Sequence, residues 1–442
     1  MCSAKCCVWF GLPTCLGPDT MPARAPFGRG WSRTRLLPHL ARVNARVASP
    51  SRAPLKLAPK PPPAPARGST LTTPARPCIH IVAGARPNFM KIAPMVRALQ
   101  ADGRLAWKLV HTGQHFDRNM SDVFFEELGI PTPHVHFNCG GGTHASQTAR
   151  IMEAFEAHCA ADRPDAVVVV GDVNSTLACA IVAKKAGIPV AHVEAGLRSG
   201  DMRMPEEINR MVTDAITDWF FVTEPSGMTH LAREGHPAER VFHVGHVMVD
   251  NVLHQAQRLQ GTDTSAYDTH AIKQRLGRYG VITLHRPSNV DQPDTLAGIA
   301  GALKAVSQEL PMVFPVHPRT RGNLDRLGVD LGPHIHLMAP QPYMSFLNLW
   351  KDAVVVLTDS GGLQEETTAL GVPCVTLREN TERPITVDEG TNVLAGTDPA
   401  RIAQLGLDVV RHGGKRGQRP ALWDGQAAAR IVDVLAARLL AR

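Results

Sequence analysis

No run of apolar residues in this 442-residue chain approaches the roughly 18 that a membrane-crossing helix needs. An integral membrane protein is excluded, and a soluble globular one is expected. The nine cysteines form no CxxC pair, so a standard zinc ribbon or redox motif lacks its spacing. Aromatic residues make up only 5%, low for a protein that stacks nucleic-acid bases. The apolar share of 44% is in turn too high for a disordered chain. What is left is a chain long enough for two ordinary domains, with about 80 residues to spare.

The net charge of +7 is not evenly spread. Residues 1–76 hold twelve Lys/Arg, thirteen prolines and a single acid, Asp19, so they carry +11. The rest of the chain carries −4, with 35 basic and 39 acidic residues. The basic character therefore belongs to a leader, residues 1–77, and gives no reason to invoke nucleic acid. Its CSAKCC, RGWSRTR and LKLAPKPPPAPAR stretches cannot bury a core and favour extended polyproline conformations. It is Arg-rich and acid-poor, as transit peptides are, yet an over-extended gene start, with Met21 or a later codon as the true beginning, is the simpler expectation. The other five cysteines (Cys78, Cys139, Cys159, Cys179, Cys374) are scattered, which suits reduced thiols in the cytoplasm.

From Cys78 onward, β-branched apolar runs alternate with helical patterns. CIHIVAG (78–84), WKLVHTG, AVVVVGD (166–172), PVAHVEA (189–195) and WFFVTE (219–224) form one series. YGVITLH (279–285), MVFPVH (312–317), IHLMAP (335–340), AVVVLTD (353–359) and VPCVTL (372–377) form a second. Parallel strands joined by crossover helices read this way. The expected fold class is α/β, with two doubly wound Rossmann-like domains over 78–248 and 249–424, and a final helix over 425–442 packing back on the first. In such sheets ligands bind at the carboxyl ends of strands. There the sequence places GARP, GD, EAG, HR, HPR and DSGG.

The strongest phosphate signal is TDSGGLQEE. Gly361 and Gly362 let the backbone approach closely, a helix begins at once, and its free amides and dipole favour a diphosphate. Ser360 can cap that helix, and Glu365 or Glu366 could accept from ribose hydroxyls one turn on. No GKS or GKT follows, so it is not a Walker motif. Arg86 and Lys91 in GARPNFMK sit at a strand–helix junction suited to gripping a phosphate or a uracil carbonyl. The acid–base candidates are Asp172, Glu194, and Glu206 or Glu207 in PEEINR. Asp172 and Glu194 end very apolar strands, where desolvation is expected to raise a carboxyl pKa. Acids after a proline are also ordinary capping chemistry, which accounts for one of the PEE glutamates but not for Asp172 and Glu194.

Two motifs mislead. HVHFNCGGGTH (134–144) mimics a zinc site, but its spacing matches no standard finger and its three glycines read as a floppy loop. AVVVVGDVNST lacks GxGxxG, so a nicotinamide fold is not supported.

GARPNFMKIAPM, TGQHFDRNM, GDVNSTLA, HVEAGLRSGDMRMPEEINR, TLHRPSNVD, FPVHPRT, APQPYMSFLNLW, LTDSGGLQEE and ENTERP occur here in order. Together they resemble the non-hydrolysing UDP-N-acetylglucosamine 2-epimerases, over about residues 78–440. The resemblance implies a fold like that of the GT-B glycosyltransferases, with UDP in the cleft between domains. It implies inversion at C2 of the sugar without cofactor or metal, by anti elimination of UDP through a 2-acetamidoglucal and re-addition. On this resemblance Asp172, Glu194 and Glu206 match the acid–base residues, and His285 a catalytic histidine near the diphosphate. Arg86, Lys91, Ser360, Gly361 and Gly362 fit the phosphates, Glu366 the ribose, and Gln341, Phe346 and Arg383 other nucleotide positions. A cytoplasmic homodimer serving exopolysaccharide, capsule or O-antigen synthesis is implied, with no nucleic-acid partner.

The sequence departs from the family pattern in places. HRPSN stands where many relatives have HRREN, and QHFDRNM replaces a QHREM-type segment that helps hold a UDP-N-acetylglucosamine activator. Gln114 and His115 are what this chain keeps for such an allosteric site. These variants also resemble epimerases of UDP-2,3-diacetamido uronic acids. A GT-B glycosyltransferase would explain Ser360 and Glu366 but would not require three acids from the first domain. A hydrolysing epimerase and a non-catalytic sugar-nucleotide sensor are the further alternatives.

Overall fold

The computed structural model of the chain describes residues 76–114 and 125–441, apart from the side chain of Arg86. The leader up to Ala75 lies outside the described residues, as does His115.

The first sheet is all parallel and runs β3-β2-β1-β4-β5-β6-β7. Its strands are β1 (Cys78–Ala83), β2 (Ala106–His111), β3 (Val135–His136), β4 (Ala166–Val170), β5 (Val190–Val193), β6 (Trp219–Val222) and β7 (Val241–His243). The second runs β10-β9-β8-β11-β12-β13, again all parallel. It holds β8 (Gly280–Thr283), β9 (Met312–Pro315), β10 (Ile335–Met338), β11 (Val356–Thr358), β12 (Cys374–Thr376) and β13 (Asn392–Leu394). The strand order reverses beside β1 in one sheet and β8 in the other, leaving a switch point in each where crossovers diverge. Helices cover both faces, so β4 (AVVVV) and β5 (VAHV) are buried at every residue.

The helices that build the site are α1 (Arg86–Asp102), α2 (His144–Ala161), α3 (Asn174–Lys185), α4 (Pro205–Ile216), α5 (Val247–Gln260), α6 (Tyr343–Trp350), α7 (Gly361–Leu370) and α8 (Ala427–Leu440). Proline near the first position opens α1 and α4, where the missing N–H costs nothing. Gly103 ends α1 in the left-handed region (φ 72°). The bridging helix is α5, which packs against α1 on one side and α6 and α7 on the other. α8 lies against α1 and α5. Its first turn is capped by Asp250 of α5, which accepts from the amides of Ala427 (3.2 Å) and Ala428 (2.7 Å).

Most strands stop short of the apolar runs that announced them: β4 at Val170 rather than 172, β5 at Val193 rather than 195, β6 at Val222 rather than 224. The polar residues at these ends leave the ladder and turn toward the carboxyl edge of the sheet. One expectation is corrected. HVHFNCGGGTH is not a floppy loop: Val135 and His136 pair with β2, His136 stacks on His111 (4.4 Å), and Thr143 caps α2. The glycines turn this segment, with Gly141 and Gly142 at φ 73° and 84°, and its histidines and cysteine form no metal-like cluster among the described residues. No described helix is long and apolar enough to cross a membrane.

Candidate active site

At the end of β1 the chain turns through Gly84 and Ala85 into α1. Asn88 holds that turn, accepting from the amides of Gly84 (3.1 Å) and Ala85 (3.0 Å) and donating to the carbonyl of Val170 (2.9 Å). One turn later Lys91, 7% exposed, forms an ion pair with Glu194. Arg86 opens α1, but its side chain lies outside the described atoms.

Glu194 follows β5 with φ at 75°, a left-handed conformation that costs a non-glycine residue of the order of 1 kcal/mol. Its amide and that of Ala195 both donate to the carbonyl of Phe221 (3.0 and 3.1 Å). Two residues thus face one, a bulge that swings the carboxylate away from the sheet and toward Lys91. Gly171 leaves room for this pair: a Cβ there would lie 3.0 Å from Lys91 Nζ and 3.3 Å from Glu194 Oε2.

The second sheet supplies the other half. Arg383 approaches Glu194 (3.6 Å) and is hydrogen-bonded to Glu365 of α7, which also accepts from His246 Nε2 (2.8 Å). Lys91, Glu194, Arg383, Glu365 and His246 therefore form one continuous chain of alternating charge that crosses between the halves. Burial pushes the Glu365 carboxyl up, but Arg383 and His246 outweigh it and hold it well below the usual range. Burial likewise depresses His246, and the Glu365 carboxylate overcomes that and raises it.

Asp172 is paired with Arg210 of α4 (2.5 Å), which in turn binds Glu207 (2.7 Å). The two PEE glutamates part company here. Glu207 is buried and accepts from the amides of Ser199 and Gly200, fixing the loop before α4, whereas Glu206 is half-buried. Neither Asp172 nor Glu194 stands among apolar groups alone, since each meets a cation. Burial pushes the carboxyl of Glu224, just beyond β6, up to about 7, with Glu365 repelling its charge as well.

His285 ends the β8 segment with Nδ1 2.8 Å from Asp359. Asp359 also accepts from the amides of His285 and Arg286 and from Asn289 Nδ2. Burial pushes this carboxyl up, yet His285 and those amides hold it below its ordinary value. Ser360 occupies the N-cap position of α7 without a side-chain cap bond. Arg383 lies so close to Gly361 that a Cβ would meet its Nη1 at 3.0 Å. Arg378 and Arg383 share Glu382 (2.8 and 3.3 Å), and burial, then Arg378, lower the pKa of Arg286 beside them. Glu366 is buried, accepts from the Tyr343 hydroxyl (3.2 Å), and has a second oxygen without a hydrogen bond. Gln341 is held by Ala339 and Ser345, while Phe346 is 2% exposed in the core. On the far side, Gln114 accepts from the amide and hydroxyl of Ser175 (3.0 and 2.7 Å).

Sequence reading named Lys91, Glu194, Arg383, Asp172, His285 and Glu366, which the structure brings to the carboxyl ends of the two sheets. It passed over Arg210, Glu224, His246 and Arg378, and placed Arg286 and Asp359 at strand ends without giving either a role. Glu224 carried the same signal as Glu194, an acid closing an apolar strand. His246 carried none, because a histidine before a helix reads as an ordinary cap.

Residues 97–436 match the family model described as UDP-N-acetylglucosamine 2-epimerase. The chain belongs to this family. Among relatives of this 2-epimerase, the UDP-N-acetylglucosamine 2-epimerase of Methanocaldococcus jannaschii is 38% identical, over 81% of this chain and 98% of its own length. The UDP-2,3-diacetamido-2,3-dideoxy-D-glucuronate 2-epimerase of Pseudomonas aeruginosa is 40% identical, over 81% of this chain and 99% of its own. The crystal structure of the M. jannaschii enzyme with UDP-GlcNAc and UDP superposes with a TM-score of 0.73, covering 81% of this chain and 99% of that one at 37% identity. That of the Neisseria meningitidis enzyme bound to UDP-GlcNAc has a TM-score of 0.72 at 27% identity, over 81% and 99% of the two chains. The chain shares its GT-B-like two-sheet architecture with these two solved structures.

Proposed function

We propose that this epimerase inverts C2 of a UDP-2-acetamido sugar, interconverting UDP-N-acetylglucosamine and UDP-N-acetylmannosamine. A carboxylate takes the C2 proton, the C–H electron pair forms the C1–C2 double bond, and the C1–O bond breaks to release UDP. UDP then re-adds at C1 while a proton returns to C2 from the opposite face. Asp172, Glu194 and Glu206 are the groups assigned to that proton traffic. The developing charge on the leaving diphosphate falls to the amides of Gly361 and Gly362 at the start of α7, to Arg383, and to His285 held by Asp359. Ser360, Lys91 and Arg86 complete that pocket, Glu366 receives the ribose, and Gln341 and Phe346 shape the nucleotide end.

The observation that carries this reading is the Lys91–Glu194–Arg383–Glu365 chain, which joins a carboxylate of one sheet to the phosphate-ready helix of the other. A transferase needs the helix but not the buried carboxylate set at φ 75° beside it. The 40% identity to the diacetamido-uronate enzyme favours that sugar as the second reading. A cytoplasmic homodimer feeding surface polysaccharide synthesis, with Gln114 and His115 at an activator site, belongs to the same proposal. Incubation with UDP-N-acetylglucosamine in D₂O, followed by proton NMR, tests it. Loss of the C2 proton together with a UDP-linked mannosamine-type anomeric signal is expected. Exchange only with the diacetamido uronate would move the assignment to that sugar, and exchange with neither would overturn it.

A further inference from the structure

At the opposite end of the first sheet lies a cluster the proposed reaction does not use. Side chains of β1 alternate, so Cys78 and His80 point to one face. His158 of α2 and Asp162, the residue capping its end, are four apart and lie on the helix face turned toward them. The rings of His80 and His158 stack at 4.8 Å, with His158 Nε2 3.2 Å from His80 Nδ1. His80 Nε2 is 3.6 Å from Asp162 Oδ2. One donor atom from each of the three residues lies within 4.8 Å of the others.

We propose that His80, His158 and Asp162 bind a divalent transition ion of the zinc class, clipping β1 to the end of α2. Three observations argue for it. His80 is fully buried, and its Nε2 has no hydrogen-bond partner, an expensive omission for a ring nitrogen in a protein interior. The donor set is two imidazoles and one carboxylate, which suits zinc, whereas calcium and magnesium take oxygen ligands throughout. His80 Nε2 is 3.6 Å from Asp162 Oδ2, and with one donor atom of each residue within 4.8 Å of the others, small side-chain rotations bring them to the roughly 3.4 Å between ligands of a tetrahedral ion with bonds of about 2.0–2.1 Å. His158 and Asp162 are half-buried and give a path from solvent. Water entering by that path would complete the four-coordinate shell.

The position already attracts positive charge, because the ammonium of Lys108 is 2.5 Å from Asp162. A metal ion must displace it, and Lys108 is exposed enough to swing away. Lys108 is therefore a competitor, which yields a test that loss of fold cannot imitate. Among the described residues the other cluster of this kind, Glu194, His246 and Glu365, belongs to the site described above and already holds Arg383.

The experiment uses the full chain with Cys2, Cys6, Cys7 and Cys15 changed to serine, so that leader thiols take no metal. Titration with cobalt(II), followed by its visible ligand-field bands, and zinc competition read stoichiometry and affinity. One equivalent is expected, with bands of tetrahedral intensity, and zinc should raise the melting temperature. His158→Ala and Asp162→Asn should each weaken uptake at least tenfold and abolish the zinc-induced rise. Lys108→Gln should tighten binding severalfold. Uptake below one equivalent, uptake unchanged in both ligand variants, or weaker binding in Lys108→Gln would each overturn the proposal.

Discussion

At Gly171 the backbone sits at φ 67°, and the space where a side chain would begin is taken by the Lys91–Glu194 pair. Gly171→Ala carries two separate penalties, the left-handed backbone and the displacement of a buried ion pair. A loss of about 1–3 kcal/mol in urea denaturation is expected, together with reduced turnover. Asp172→Asn and Glu194→Gln preserve shape while removing the carboxylates proposed to carry the C2 proton. Each should lower C2 exchange by roughly 10²–10⁴-fold and leave UDP binding, measured calorimetrically, within a few-fold. Loss of UDP affinity with exchange retained would reverse the assignment. These residues were legible in the sequence because an acid or glycine closing an apolar strand has few other uses. Arg210, His246 and Arg383's hold on Glu365 depend on contacts between distant segments, and no spacing along the chain encodes them. Glu206 and Glu207 show the limit: adjacent and identical, they differ in what packs beside them.

Among the elements, α8 depends on a residue far from it in sequence. Asp250 of α5 accepts from its first two amides, although burial raises the carboxyl to about 6. Asp250→Ala leaves those amides unpaired in the interior and should cost about 1–3 kcal/mol, read by thermal or urea unfolding. The helices and long strands were legible from apolar runs and proline starts. β7 and β13 were not: they are no shorter than β11 and β12, but lack the longer apolar runs, AVVVLTD and VPCVTL, that announce those two. Strand ends were overestimated for a related reason. Glu194 and Asp172 continue the extended pattern in sequence while the backbone has already turned at the carboxyl edge of the sheet.

The molecule as a whole carries buried carboxyls whose pKa values are raised. Burial is the first cause in each case and lifts Glu127 and Glu224 to about 7 and Asp250 to about 6. A carboxyl whose folded pKa exceeds its unfolded value of about 4 stabilises most when protonated. Its contribution is complete below pH 4 and is lost as the pH rises through the folded value. These three groups therefore make the fold less stable at pH 8 than near pH 5, against the usual trend for paired carboxylates. Glu224→Gln should remove its share, up to about 3 kcal/mol. The variant should then gain melting temperature over the parent progressively between pH 5 and 8, and a constant difference across that range would contradict the assignment.

Every strand in both sheets pairs in parallel, and that feature governs how the chain reaches its fold. Parallel neighbours cannot be closed by a two-residue hairpin, so each ladder waits for a crossover of a dozen residues or more. The edge strand β3 joins β2 across some 25 residues, as His134 does in accepting from the amide of Leu109. Contacts at such separations make folding slow and leave apolar strands such as AVVVV open to intermolecular association meanwhile. Refolding from urea should accordingly extend to seconds or longer. Its yield should fall as protein concentration rises, and recombinant expression should improve at low temperature for a kinetic reason rather than a thermodynamic one.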